Sequence, residues 1–186
     1  MQIGKDKVKE LRARTDAGIM DCKHALKEAG GNLEQAVNFL VQKGKAMASR
    51  KTDRLTKQGV IESYVHHGNK IGVLVEINCE TDFVARNSKF KEFARDIAMQ
   101  IAASAPLFIK REDVPSGEID EQKMGKQQIE EYLKRVCLLE QPFIKDPKVS
   151  VNDYLSSVIA KVGEHIVIKR FTRFQLGEEK GKEKKE

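Results

Sequence analysis

The seven residues Thr81-Asp82-Phe83-Val84-Ala85-Arg86-Asn87 set a carboxylate, an aromatic ring and a guanidinium between two residues suited to capping helices. Asn87 can cap a helix that follows, and Thr81 can cap a turn of its own; neither role requires Asp82-Phe83. Two readings of that pair stand side by side. In the first, Phe83 and Val84 plug the end of a sheet and Asp82 is a turn residue. In the second, Phe83 is a prong on a short connection that enters a partner, where full burial of the ring contributes about 1.5–3 kcal/mol. The adjacent carboxylate would then compete for the partner's polar groups. The second reading describes a binding device rather than a catalyst.

Covalent chemistry has few candidates. Asp82 with His67 is the one acid–base pair worth naming, and no glycine-rich phosphate loop or oxyanion-binding turn accompanies it. His66 and His67 are adjacent at the end of an expected strand, so they should point to opposite faces and not share a metal. Cys22, Cys79 and Cys137 lie far apart without a CxxC pair, which reads as ordinary thiols in a reducing compartment; no metal or cofactor is expected. The net charge of +6 invites a nucleic-acid reading. The cations are interleaved with acids, however, tryptophan is absent and aromatics make up 6% of the chain, so no direct nucleic-acid binding is expected. Much of the excess falls in Lys43, Lys45, Arg50, Lys51, Arg54 and Lys57, which reads as a solvated linker. No apolar run approaches the roughly 20 residues that cross a bilayer, and no leader-like segment opens the chain, so a cytoplasmic protein without membrane contact is expected.

The elements that must position these residues follow from hydrophobic period. Val8 and Leu11 mark a first helix, and Thr15, Asp16 and Gly18 break it. Ile19, Cys22, Ala25, Leu26 and Ala29 form the stripe of a second helix ended by Gly30-Gly31. Asn32, with Gln35 three positions on, caps a third helix that buries Leu33, Ala36, Val37, Leu40 and Val41 and is closed by Gly44. Residues 1–45 therefore read as a three-helix domain, 46–57 as the basic linker and 177–186 as a disordered charged tail. On the second helix Met20 lies opposite the stripe and beside Arg12, a plausible exposed docking patch.

From residue 58 to 176 the pattern is α+β. Residues 59–67 and 70–79 are Val- and Ile-rich strands joined by a Gly68-Asn69 turn, and Ile71, Val73, Val75 and Ile77 alternate onto one face. A helix over 88–104 covers that face with Phe90, Phe93, Ile97 and Ile101, until Pro106 stops it. Helices over 127–139 and 152–161, a Pro-containing loop over 141–147 and a third strand over 165–176 complete a small three-stranded antiparallel sheet packed against helices.

The run EINCETDFVARN, from Glu76 to Asn87, resembles the signature of the elongation factor Ts family, and VKELRARTDAGIMDCKHAL resembles that family's opening helices. The similarity continues through HHGNKIGVLVE, IAMQIAAS, LLEQPFIKD and AKVGEHIVIKRFTRFQLGE, so it spans almost the whole chain apart from the tail. The resemblance implies a ubiquitin-associated-like N-terminal domain and an α+β dimerisation-type core. It also implies a non-enzymatic guanine-nucleotide exchange factor that binds elongation factor Tu in translation elongation. By resemblance, Thr81, Asp82, Phe83 and Val84 contact the GTPase and dislocate its Mg²⁺, with Phe83 as the wedge. Supporting contacts come from Arg12, Ile19, Met20, His67, Ala85, Arg86 and Asn87, where the histidine doublet leaves His66 as the other register. The alternative is an RNA-binding or adaptor protein of the translation apparatus.

The chain departs from the family pattern at Asp16, where glycine is usual, at Ile19, where methionine is common, and between Ile119 and Glu131, where it is shorter. Longer members carry two related core halves. This chain carries one, which leaves sheet edge and apolar surface uncovered, so a homodimer forming a 2:2 complex with the GTPase is expected.

Overall fold

The computed structural model describes residues 3–15, 17–119 and 125–178. Asp16, residues 120–124 within the stretch expected to be short, and the charged tail from 179 onward lie outside the described residues. The fold is α+β, with seven α-helices and a three-stranded antiparallel sheet among the described residues. Contacts group it into two units, residues 1–55 with 152–165, and residues 56–151 with 166–186.

In the first unit, α1 (Lys5–Thr15), α2 (Ile19–Glu28) and α3 (Leu33–Ser49) enclose a core of Leu11, Cys22, Ala25, Leu26 and Ala36. Local chemistry sets their ends. Gly30 and Gly31 leave α2 with φ of 58° and 83°, values that side chains with a Cβ adopt at a cost. The Asn32 side chain accepts the Gln35 N–H at 3.1 Å and starts α3. Ile19 is an exception to the expected α2 stripe: at the first position of the helix it is 57% exposed.

Gly44 does not close α3, which runs on to Ser49. This glycine is buried within the helix, where a Cβ would meet the Ser156 carbonyl of α7 (Val151–Val162) at 3.3 Å. It serves a close helix approach instead of a helix end. The basic run is correspondingly not all solvated linker. Lys43 pairs with Asp21 and Lys45 with Asp153, each at 2.6 Å, and Lys51 donates to the Gly163 carbonyl.

The second unit is built on the sheet β1 (Gln58–Val65), β2 (Ile71–Cys79) and β5 (Ile166–Gln175), in the order β1-β2-β5. Val73, Val75, Ile77, Ile166 and Ile168 are buried on one face. Helix α5 (Ser88–Ser104) covers that side, burying Phe90, Phe93, Ile97 and Ile101 along its stripe. Gly59 is needed where β1 meets β2, since a Cβ there would stand 2.1 Å from the Ile77 carbonyl oxygen. The opposite face is open: Ile61, Val65, Leu74 and Phe174 are exposed there, on cross-strand rows that also contain Ser63, Gly72 and Thr172. On the same face Arg170 donates to Glu76 at 2.7 Å, holding that carboxyl below the usual range.

Two further expectations are corrected. The 141–147 stretch is not a plain loop but the core of a small hairpin, β3 (Pro142–Phe143) with β4 (Asp146–Ser150). Its reason is long-range: the buried amide of Gln100 on α5 donates to Gln141 Oε1 at 3.1 Å and the Pro142 carbonyl at 3.2 Å, and accepts the Ile144 N–H at 2.8 Å. Lys145 reaches the buried Asp96 at 2.6 Å. Helix α6 (Lys126–Val136) ends before the expected Leu139, because Cys137 turns extended and the Leu138 N–H bonds to the Phe108 carbonyl at 2.9 Å. Cys22, Cys79 and Cys137 are all buried and reduced, and burial raises the thiols of Cys22 and Cys137 above their ordinary value.

Candidate functional site

The connection from β2 to α5 is a single helical turn, α4 (Asp82–Ala85), clamped at both ends. Thr81 is extended, and its hydroxyl oxygen accepts the Val84 N–H at 3.4 Å while its carbonyl accepts the Ala85 N–H at 3.2 Å. Asn87 begins the next helix at once, its Oδ1 accepting the Lys89 N–H at 2.8 Å. Two caps six residues apart leave the intervening chain little freedom. The turn divides its side chains. Val84 and Ala85 are buried on the inner side, whereas Phe83 is 79% exposed. Arg86 Nη2 donates to Asp82 Oδ2 at 2.7 Å on the outer side.

The two sequence readings of this segment are thus divided between residues: Val84 is the plug, and Phe83 is an exposed ring on a fixed turn. A ring of that size in water is unfavourable unless something covers it, because each buried Å² of apolar surface contributes about 25 cal/mol.

In the first unit, Met20 is 73% exposed and shares a groove of about 770 Å³ with Ile19 and Arg12. Ile3 and Val8 extend its apolar floor, and Lys5, Lys9, Lys23 and Lys27 stand on its rim. Among the described residues no carboxylate lines it, so the groove favours an occupant with an apolar ridge and acidic flanks. The rim lysines were missed by the sequence reading; projecting α1 and α2 together, not singly, brings them onto one surface.

The histidines are placed differently from expectation. Strand β1 ends at Val65, so His66 and His67 occupy the turn to β2, both exposed, with His66 Nδ1 3.0 Å from the Tyr64 hydroxyl. That turn and α4 flank opposite ends of the nine-residue strand β2, about 27 Å apart at some 3.4 Å per residue. His67 and Asp82 therefore form no acid–base pair. No cluster of potential metal ligands occurs among the described residues, and none of their helices is long and apolar enough to cross a membrane.

The family profile described as Elongation factor TS matches residues 2–128 and 121–178 of the chain. This chain belongs to the elongation factor Ts family. Among the most similar relatives, the elongation factor Ts of Carboxydothermus hydrogenoformans is 53% identical over 190 aligned positions, covering 92% of this chain and 88% of that protein. That of Desulforamulus reducens is 48% identical, covering 95% and 90%, and that of Methylacidiphilum infernorum is 49% identical, covering 92% and 94%. The two matched segments of the profile overlap at residues 121–128, within the 119–131 stretch where the chain is expected to be short of the family pattern. The chain is accordingly a translation elongation factor by family.

Proposed function

We propose that this chain is a guanine-nucleotide exchange factor for elongation factor Tu. The observation that carries the reading is Phe83, exposed on a turn fixed by Thr81 and Asn87 and anchored by the buried Val84 and Ala85. A turn so held presents the ring without having to be ordered on binding, so more of the ring's burial energy is available for displacing what the partner's site contained. The groove with Arg12, Ile19 and Met20 docks the GTPase domain, and the ring with Asp82 disturbs the Mg²⁺ and phosphate site. Removing the metal from GDP exposes unneutralised phosphate charge and weakens its hold. No covalent step is required. The factor has only to bind the nucleotide-free GTPase more tightly than the GDP form, and by reciprocity each ligand then weakens the other.

The distance between His67 and α4 makes His67 a separate contact at the far end of the sheet, not part of the wedge. The open sheet face supports a second element of the reading, in which a second copy covers Ile61, Val65, Leu74 and Phe174 and gives a 2:2 complex with the GTPase. Small residues at Ser63, Gly72 and Thr172 leave room for such an approach. Co-purification with elongation factor Tu followed by a labelled-GDP chase tests the exchange activity: GDP release must rise in proportion to added factor, and a chase indifferent to the factor refutes it. Sedimentation tests the copy number, with a dimer expected for the parent chain and a monomer for Leu74→Asp; a parent that stays monomeric at micromolar concentration overturns the pairing.

A further inference from the structure

The outer side of α4 carries its side chains in a defined angular order. At about 100° per residue, with Asp82 at the origin, Arg86 lies near 40° and Phe83 near 100°, while Val84 and Ala85 fall on the far side. Burial follows this order, with Val84 at 4% and Ala85 at 9%. The ring is therefore flanked by a closed ion pair, Arg86 Nη2 on Asp82 Oδ2 at 2.7 Å, and each is the other's one ion-pair partner among the described residues. An exposed pair of this kind adds little to folding. Its effect lies in what the face presents: an apolar ring beside a carboxylate whose charge is already cancelled.

That cancellation matters at a phosphate. A lone Asp82 beside the ring would meet the diphosphate of bound nucleotide as a like charge, and the repulsion would rise as water is excluded. It would fall on the nucleotide-bound GTPase and spare the empty one; that preference serves the final state, but it raises a barrier to entry for a factor that must first engage the GDP form. We propose that Arg86 is a specificity-determining residue that carries Asp82 to the phosphate site as a neutral pair, so that the prong can enter while nucleoside diphosphate is still bound. This rests on the exchange reading above.

The test is stopped-flow association of the full chain with GDP-bound and nucleotide-free GTPase at low and high salt. Arg86→Gln should slow association with the GDP form about threefold to tenfold at low salt, change association with the empty form by less than about twofold, and lose its effect at high salt. Arg86→Lys should retain the parent rate. The decisive variant is Asp82→Asn with Arg86→Gln, which removes both charges and should restore association with the GDP form to within about twofold of the parent; association alone is read, because Asp82 also acts in GDP release. Equal slowing of both GTPase forms by Arg86→Gln, or a double variant as slow as the single one, overturns the proposal and makes Arg86 a simple contact to the partner. A parent chain that releases GDP while Arg86→Gln associates normally removes this inference alone. A parent chain that never releases GDP removes the exchange reading and this inference together.

Discussion

Truncating Phe83 to alanine separates folding from function, because the structure assigns the ring almost nothing to do inside its own chain. With 79% of the residue exposed, about one-fifth of its burial energy is realised in the free factor. On a full-burial value of about 1.5–3 kcal/mol, that fifth amounts to roughly 0.3–0.6 kcal/mol, a Tm change of about 2 °C or less for a chain of this size. The caps at Thr81 and Asn87 and the buried Val84 and Ala85 are untouched, so the turn keeps its shape. The remaining four-fifths, about 1.2–2.4 kcal/mol, would be realised in the partner. If it is realised in the transition state for GDP loss, Phe83→Ala lowers the apparent second-order rate of exchange about eightfold to sixtyfold. The assay is stopped-flow release of fluorescent GDP from elongation factor Tu against factor concentration, with thermal denaturation alongside. An unchanged release rate refutes the wedge. A Tm fall of 8 °C or more (~2 kcal/mol or above) refutes the premise that the ring is free of its own core.

Three further outcomes follow from packing and charge. Gln100→Ala strands the buried Gln141 Oε1 and the partly buried Ile144 N–H, and should lower unfolding free energy by about 2–4 kcal/mol in urea titration, with faster amide exchange in the β3–β4 hairpin. Gly59→Ala cannot keep its backbone path against Ile77 and should cost at least about 2 kcal/mol, read as a lower urea midpoint. Arg111 holds Glu130, at 2.7 Å, with its carboxyl below the ordinary 4.5. A carboxyl depressed by folding adds stability that is complete above the unfolded value and fades as pH falls through the folded one. Arg111→Gln should therefore be destabilising at pH 7 and progressively less so below about pH 4.5, and a difference independent of pH in urea midpoints would contradict this.

What the sequence made legible was local in origin. The caps at Asn32, Thr81 and Asn87 act over two or three residues, and the period-2 run Val73, Val75, Ile77 needs only the pleat to choose its face. What it hid was set from far away. Gly44 reads as a helix end until Ser156, more than a hundred residues on, is known to press against it. Pro142 and Pro147 read as loop until Gln100 is seen to hold the backbone between them. The separation of His67 from Asp82 needed only the length of β2, since a turn before a nine-residue strand and a turn after it cannot meet. The orientation of Phe83 lies between these cases, and one step of inference would have fixed it. Once Thr81 is taken as a cap, the next four residues are helical, and a helix that must bury Val84 and Ala85 against the sheet end places Asp82, Phe83 and Arg86 on the water side. The same cap that makes the turn thus exposes the ring. Thr81→Val should accordingly impair exchange by letting the turn that carries the ring wander. Thr81→Ser, which keeps the hydroxyl, should not, and equal GDP-release rates for the two variants would show that the turn needs no cap to present the ring.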